Sequence, residues 1–305
     1  MGNLPTCVRS AWLDLYGDGT VTVPLESEAA GYFCQSLDLG YPTPREVRTN
    51  KPDQHGEDDR TAYMGGRVVT ANITALTGAG AQIDAVASAF GPYMNPSARP
   101  VLHYVLDRPG AAERTLVVRG SGFSWPIVGA FQRDIQLQWV AADPIVRDTV
   151  TQTVEASAGT SGGAGRTYPL TYSRVYPPGG SASGSTAVIV SHGDVRVQPL
   201  LRIYGPISGP GFYVHFAPSI GPVANVRFLD SFRIDAGHWV DVDTKNKTAV
   251  MDSDPTQSVL AALDWINTVW PVLPIAPAST TMNLYGSSTS GVTQVQASWA
   301  DGFLT

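Results

Sequence analysis

Ala130-Phe-Gln-Arg-Asp-Ile-Gln-Leu-Gln-Trp139 is the stretch whose reading decides the fold class. Phe131, Ile135, Leu137 and Trp139 fall at period two, broken only at Arg133. Side chains of a strand point alternately to opposite faces, so this is the pattern of a half-buried antiparallel strand. The same reading extends outwards. Arg67 to Leu76 is rich in β-branched residues with partial alternation, and Thr115-Leu-Val-Val-Arg119 is a further strand. Trp12-Leu-Asp-Leu15, a Tyr16-Gly-Asp-Gly-Thr20 turn and Val21-Thr-Val-Pro-Leu25 read as a hairpin. One helix stands out, Ala81 to Phe90, with Ile83, Val86, Ala87 and Phe90 at spacings of three and four before Gly91-Pro92 stops it.

Beyond Asp143-Pro144 the composition changes. Residues 155–187 are rich in Gly and Ser, broken by Tyr168-Pro-Leu-Thr-Tyr172, and read as a linker. Strand signals then resume: Val195 to Tyr204, Phe212 to Phe216, Asn225 to Ile234, Gly237 to Asp243, Thr248 to Met251, Thr281 to Tyr285 and Val292 to Trp299. Their close spacing with turns between suggests a β-sandwich. Asp254-Pro255 is a good helix start, so residues 254–267 form a short helix or a turn. The expected organisation is mostly β: a domain over 1–150 with one helix, a Gly/Ser/Pro-rich linker region over 151–187, and a β-sandwich over 188–305.

Composition agrees. Of 305 residues, 43% are hydrophobic and 15% charged, against about 25% charged in a typical domain. That hydrophobic content excludes a disordered chain. With 31 glycines and 23 prolines, a helical bundle is excluded too, because each costs about 1–3 kcal/mol inside a helix. Net charge is −6, divided −4 over residues 1–150 and −2 over 151–305, so neither half is built to neutralise phosphates. Three lysines against seventeen arginines reflect a GC-rich genome rather than a site. Cys7 and Cys34 are too few for a disulfide scaffold or a metal set and read as free buried thiols. Met1 to Leu15 has no apolar core of a signal peptide and no 18-residue apolar run exists, so the expectation is a chain made in a cytoplasm, with no membrane span.

Motifs with chemical meaning fail on context. Gly159-Thr-Ser-Gly-Gly163 matches a serine-hydrolase string, but lies in the linker rather than between strand and helix. Asp241-Val-Asp-Thr244 nearly matches an aspartyl-phosphatase run. Its threonine comes one residue early, and a strand with Val240 and Val242 inward and both aspartates outward explains it. His55-Gly-Glu-Asp-Asp59 reads as a solvated loop, and the five histidines include no His-x-His or His-x-x-x-His pair. Asp14 and Asp18 beside Gly17 and Gly19 lack the full calcium-loop pattern, and Gly205 to Gly211 lacks the ending of a phosphate loop. No catalytic, cofactor-binding or metal-binding residue is assigned. Trp239, Trp265, Trp270 and Trp299 raise a carbohydrate-platform reading, with core packing expected for Trp239 and Trp299.

The order of the pieces resembles one family. Gln35-Ser-Leu-Asp-Leu-Gly40, Arg45-Glu46, the run from His55 to Arg67 and Arg133 to Pro144 are similar to the first domain of siphophage distal tail proteins, a class of minor tail protein. His192-Gly-Asp194, Pro199 to Gly205, Val240 to Thr244 and Val292 to Trp299 resemble that family's galectin-like domain. The likeness runs over nearly the whole chain and rests on order, since each motif is short. The chain departs from it in the stretch 159–187 and at Pro274-Ile-Ala-Pro277.

The resemblance implies a structural virion protein at the distal end of a bacteriophage tail. It implies a β-sandwich first domain with one helix that forms a homo-hexameric ring, and a galectin-like second sandwich. The ring would be a baseplate hub joining the tail tube protein to tail-tip proteins, with tape-measure protein and DNA passing through its channel without specific binding. No catalytic residue, cofactor or metal comes with it. The −4 charge of residues 1–150 is compatible with a pore that does not hold DNA, and the segment Asn50 to Met64 is a polar loop or hairpin that could reach a neighbour. Two other readings compete: a receptor- or glycan-binding tail module using the C-terminal sandwich, and a cell-wall hydrolase, against which the failed motifs stand.

Overall fold

The computed structural model describes residues 8–45, 48–50, 57–59, 63–76, 80–129, 131–158, 185–287 and 293–304. The chain is mostly β and divides into two compact units, residues 1–150 with 302–305, and residues 151–301.

In the first unit two antiparallel sheets enclose one core. One runs in the order Thr22–Pro24, Val8–Asp14, Val101–Leu106, Glu113–Val117, Val146–Asp148, Gly302–Phe303. The other runs Arg119–Ser124, Gln132–Ala141, Arg67–Leu76, Tyr32–Asp38, with Ile127–Gly129 also on Gln132–Ala141. Alternation sets what each strand buries. Ile135, Leu137 and Trp139 face inward opposite Ile73, Ala71 and Val69 of the paired strand, and Leu13, Leu102, Tyr104 and Leu116 of the other sheet share their core. Fully burying each large side chain stabilises by about 1.5–3 kcal/mol. The expected hairpin forms, with Trp12 opposite Pro24 and Asp14 opposite Thr22.

The helix is Gly80–Phe90, with Val86, Ala87 and Phe90 buried, and it passes into one 3-10 turn, Gly91–Met94. Two expectations change here. Phe131 is 60% exposed. It sits at the tip of the hairpin that Ile127–Gly129 makes with Gln132–Ala141, before the alternating strand begins. The run 115–119 is not one strand: Glu113–Val117 belongs to the first sheet and Arg119–Ser124 to the second. Buried Val118, donating its N–H to the Pro100 carbonyl at 2.9 Å, is where the chain crosses between them.

The second unit is also a pair of antiparallel sheets. Gln152–Ser157, Gln294–Trp299, Leu200–Tyr204, Trp239–Asp243 and Thr248–Met251 form one. Ala187–Val190, Ser279–Ser287, Ser208–Pro218 and Ala224–Arg227 form the other. Leu201, Ile203, Val240, Val242 and Val295 pack against Val214, Phe216, Val226, Met282 and Leu284. Phe212, Phe228 and Phe232 pack mutually, Phe228 with its ring centroid 4.6 and 5.2 Å from the other two, which are themselves 6.0 Å apart.

The segment 151–187 is therefore not linker at its start. Gln152–Ser157 pairs along its whole length with Gln294–Trp299, and Ala156 is buried. The chain's last residues also leave the second unit: Gly302–Phe303 pairs with Val146–Asp148 of the first. Residues 254–267 form turns with a single 3-10 turn, Leu260–Ala262. Asp254 spends its carboxylate on Thr256 and Gln257 rather than on a helix start.

Candidate functional site

Of the residues singled out for chemistry, the described aspartates are employed in structure. Asp241 stands directly opposite Arg202 on the neighbouring strand. It accepts from Arg202 Nε at 2.6 Å, from Nη2 at 3.0 Å and from Ser253 Oγ at 2.6 Å. Asp243 closes the following turn by accepting from the N–H groups of Lys245 and Asn246, and Thr244 donates to the Pro199 carbonyl. The expected alternation holds, with Val240 and Val242 fully buried.

The same alternation corrects the expectation for Trp239. If Val240 and Val242 point inward, residue 239 must point outward. The indole is half-buried on the outer face, donating Nε1–H to Ser253 Oγ, with the Arg202 guanidinium 5.4 Å from its ring. Trp299 is in the core, as expected.

Asp14 is buried and accepts from the N–H groups of Tyr16, Gly17 and Gly19, so it organises the hairpin turn. Asp18 does the same for Thr20, which holds its carboxyl below the usual range. Cys34 is buried, and desolvation pushes its thiol up to about 12. Cys7, His55 and residues 159–163 lie outside the described residues. Of the segment 50–64, the structure describes two short pairings, Arg48–Asn50 with Glu57–Asp59 and Pro44–Arg45 with Tyr63–Met64, a hairpin extension. Among the described residues no three His, Cys, Asp or Glu side chains gather as metal ligands, and no helix is long and apolar enough to cross a membrane.

The surface feature with most chemistry is on the outer face of the four-stranded sheet of the second unit. Inward Val214, Phe216, Val226, Met282 and Leu284 leave Tyr213, His215, Asn225, Arg227, Asn283 and Tyr285 facing out. Register places Tyr213 opposite both Arg227 and Tyr285, and His215 opposite both Asn225 and Asn283. Tyr213, His215, Asn225 and Arg227, with Asn267 from the loop after the 3-10 turn, line an open cleft of about 340 Å³.

The cleft's groups are held by one another. The Tyr213 and Tyr285 rings stack at 4.8 Å and 17°, and His215 meets Tyr285 edge-on at 6.0 Å. His215 Nδ1 is 2.7 Å from Asn225 Oδ1. Asn267 Nδ2 donates to Asp264 Oδ2 at 2.7 Å, and that bond, with Arg227 near by, holds the Asp264 carboxyl below its usual range. Arg227 lies 3.6 Å from Asp264 and 3.9 Å from Asp230, with its guanidinium 5.9 Å from the Tyr213 ring. Burial and the neighbouring Tyr285 push the Tyr213 phenol upward. Sequence reading missed this cluster, because its members come from three strands and a loop. The available signal was the polar partner set of each alternating strand.

These features define a class: a two-unit antiparallel β protein with partnered polar clusters on its outer faces. Its fold is similar to that of the Dit protein of phage SPP1, whose crystal structure is presented as a paradigm of the hub adsorption apparatus in phages infecting Gram-positive bacteria. The TM-score is 0.65 at 11% identity, over 96% of this chain and 99% of that one. Chains of the phage P2 baseplate, in its activated conformation with Ca or Sr, match at TM-scores of 0.45 and 0.44 and 10% identity, over 96% of this chain and 99% of each. No protein-family model matches the sequence, and no curated protein matches it.

Proposed function

We propose that the chain is a structural virion protein, a hexameric distal tail hub that joins a phage tail tube to tail-tip or baseplate proteins around a central channel. One observation carries the reading: the likeness to SPP1 Dit extends over 96% of this chain and 99% of that one. A single β-sandwich recurs among unrelated proteins and would say little about function. Two in tandem, matched over nearly the full length of both chains, is a narrower likeness.

In this reading residues 1–150 form the ring and residues 188–305 the galectin-like domain. A closed ring needs a heterologous interface between copies. The first unit exposes apolar side chains suited to one, among them Leu76, Val117, Trp125, Val128 and Phe131. The low charged fraction fits as well, since interface cores are depleted of charge. The partners are further copies of the chain, the tail tube protein and the tail-tip proteins. Tape-measure protein and DNA pass without specific binding, no reaction or cofactor is assigned, and the location is the distal end of the tail.

Native mass measurement with negative-stain imaging of the purified chain tests this. Six-fold rings with six times the chain's mass are expected. A chain that stays monomeric at high concentration, and also when mixed with its tail tube protein, would overturn the hub reading.

A further inference from the structure

Resting on the hub reading, we propose that the ring closes head to tail, with the apolar tip around Phe131 of one copy seated on the apolar corner around Tyr63 of the next. A closed ring larger than a dimer needs two different surfaces on each chain that fit one another. The first unit carries two, at opposite ends of the strand Arg67–Leu76. At one end Leu76 stands opposite Gln132, and the hairpin leading into Gln132 exposes Trp125, Val128 and Phe131. At the other end Val68 is exposed, together with Tyr41, which follows the close approach of Gly40 to the Val68 carbonyl. Tyr63 and Met64, exposed on the short pairing with Pro44–Arg45, complete that corner.

The two patches are distinct. Val68 and Leu76 are eight steps apart on one strand, about 27 Å at about 3.4 Å per residue. Between them the same face is polar and bonded to itself. Asn72 donates to Ser36 Oγ at 2.7 Å and accepts from Gln136 Nε2 at 3.2 Å, and Thr74 donates to Asp134 Oδ1 at 2.9 Å. A single patch meeting its own copy would give pairs; two separate patches allow each copy to hold a neighbour on either side.

Size and composition fit a contact between copies. Scaled by exposure, and with about 150–250 Å² for a whole aromatic side chain, each patch offers about 400 Å². Joined, they bury about 800 Å², close to the apolar share, about 57%, of a standard interface of about 1,600 Å². Aromatic residues and Met are enriched at such interfaces, and Tyr41, Tyr63, Met64, Trp125 and Phe131 are of those types. Both patches are also held before contact, which lowers the ordering cost of association. The Trp125 ring meets Phe123 edge-on at 4.8 Å, and Arg133 beside the tip pairs with Asp84 of the helix at 2.8 Å. Next to Met64, the Gly65 N–H donates to the Thr43 carbonyl at 2.8 Å.

Native mass measurement on the full chain tests the pairing with one charge placed in each patch. Phe131→Asp and Tyr63→Asp, both at exposed positions, should each raise the concentration needed for rings by at least about thirtyfold. Each variant keeps one patch intact. Mixed in equal amounts, they should therefore join once, giving a heterodimer of twice the chain's mass that cannot grow further. Trp125→Asp and Met64→Asp repeat the test on the same patches should a first variant not fold. Val188→Asp, exposed on the second unit, should form rings like the wild type. The pairing is overturned if folded variants still form rings, if either variant dimerises with itself, if the mixture stays monomeric, or if Val188→Asp breaks the rings equally. Wild-type rings alongside any of these results would leave the hub reading standing, whereas a monomeric wild type would remove the hub reading and the pairing with it.

Discussion

Removing residues 302–305 should weaken the first unit and leave the second intact. Gly302–Phe303 is the edge strand of the first unit's six-stranded sheet, paired with Val146–Asp148. Arg67 is fully buried, and its Nη2 donates to the Leu304 carbonyl at 2.8 Å. The Arg114 guanidinium carbon stands 3.8 Å from the Phe303 ring centroid, with Arg114 itself buried. A hydrogen bond to a charged group contributes about 1.5–3 kcal/mol. A largely desolvated cation–π contact adds about 1–2 kcal/mol. Together the loss is about 3–5 kcal/mol, a large share of a domain's total of about 5–15. For a unit of this size, with a shift of about 2–4 °C per kcal/mol, the melting temperature should fall by about 10 °C. Calorimetry of the full chain and of a chain ending at Asp301 reads the shift, and hydrogen exchange locates it. Protection of Arg67–Leu76 should drop while that of Leu200–Tyr204 holds. Phe303→Ala alone should produce part of the same effect. An unchanged first-unit transition, or equal loss of protection in both strands, would refute the reasoning.

Three further outcomes follow from individual groups. With its thiol pushed up to about 12 by burial, only about one Cys34 in 10,000 is thiolate at pH 8; in a Cys7→Ser background it should resist a thiol reagent until the chain is unfolded, and rapid native labelling would contradict its burial. The His238 imidazole, 2.7 Å from Asp252, is raised above 6.5 by that hydrogen bond, and Asp252 is lowered below 3.8 by the same bond. The histidine's contribution is complete below pH 6.5 and is lost as pH rises through its folded value, while the aspartate's is complete above 3.8 and is lost as pH falls through its own. An NMR titration should give His238 a midpoint above 6.5 that moves back towards 6.5 in Asp252→Asn, and an unmoved midpoint would remove Asp252 as the cause. Gly40 has φ +59°, and a Cβ there would run into the Val68 carbonyl, so Gly40→Ala should cost about 1–3 kcal/mol by denaturant melt, whereas a neutral result would argue against the left-handed turn.

By itself the sequence determined the periods. Alternation in 132–141 and 67–76 sets which side chains are buried, because a strand's faces are chosen by local geometry wherever one side meets a core. The same rule made Val240 and Val242 inward and both aspartates outward, and the helix was legible over 81–90 from its spacing, one residue short of its observed start. Tertiary structure decided everything that depends on distant partners. Residues 152–157 look like linker by composition and become a strand only because Gln294–Trp299 lies beside them. Val118 marks a crossing between sheets that no local pattern announces. Gly302–Phe303 joins the first unit by pairing with Val146–Asp148, beside the Arg67 bond to the Leu304 carbonyl and the Arg114 guanidinium over the Phe303 ring. The cleft is the extreme case: Tyr213, His215, Asn225, Arg227 and Asn267 come from two strands and a loop. Each is an unremarkable outward residue of its own strand or loop, and only register between strands puts their rings and amides together.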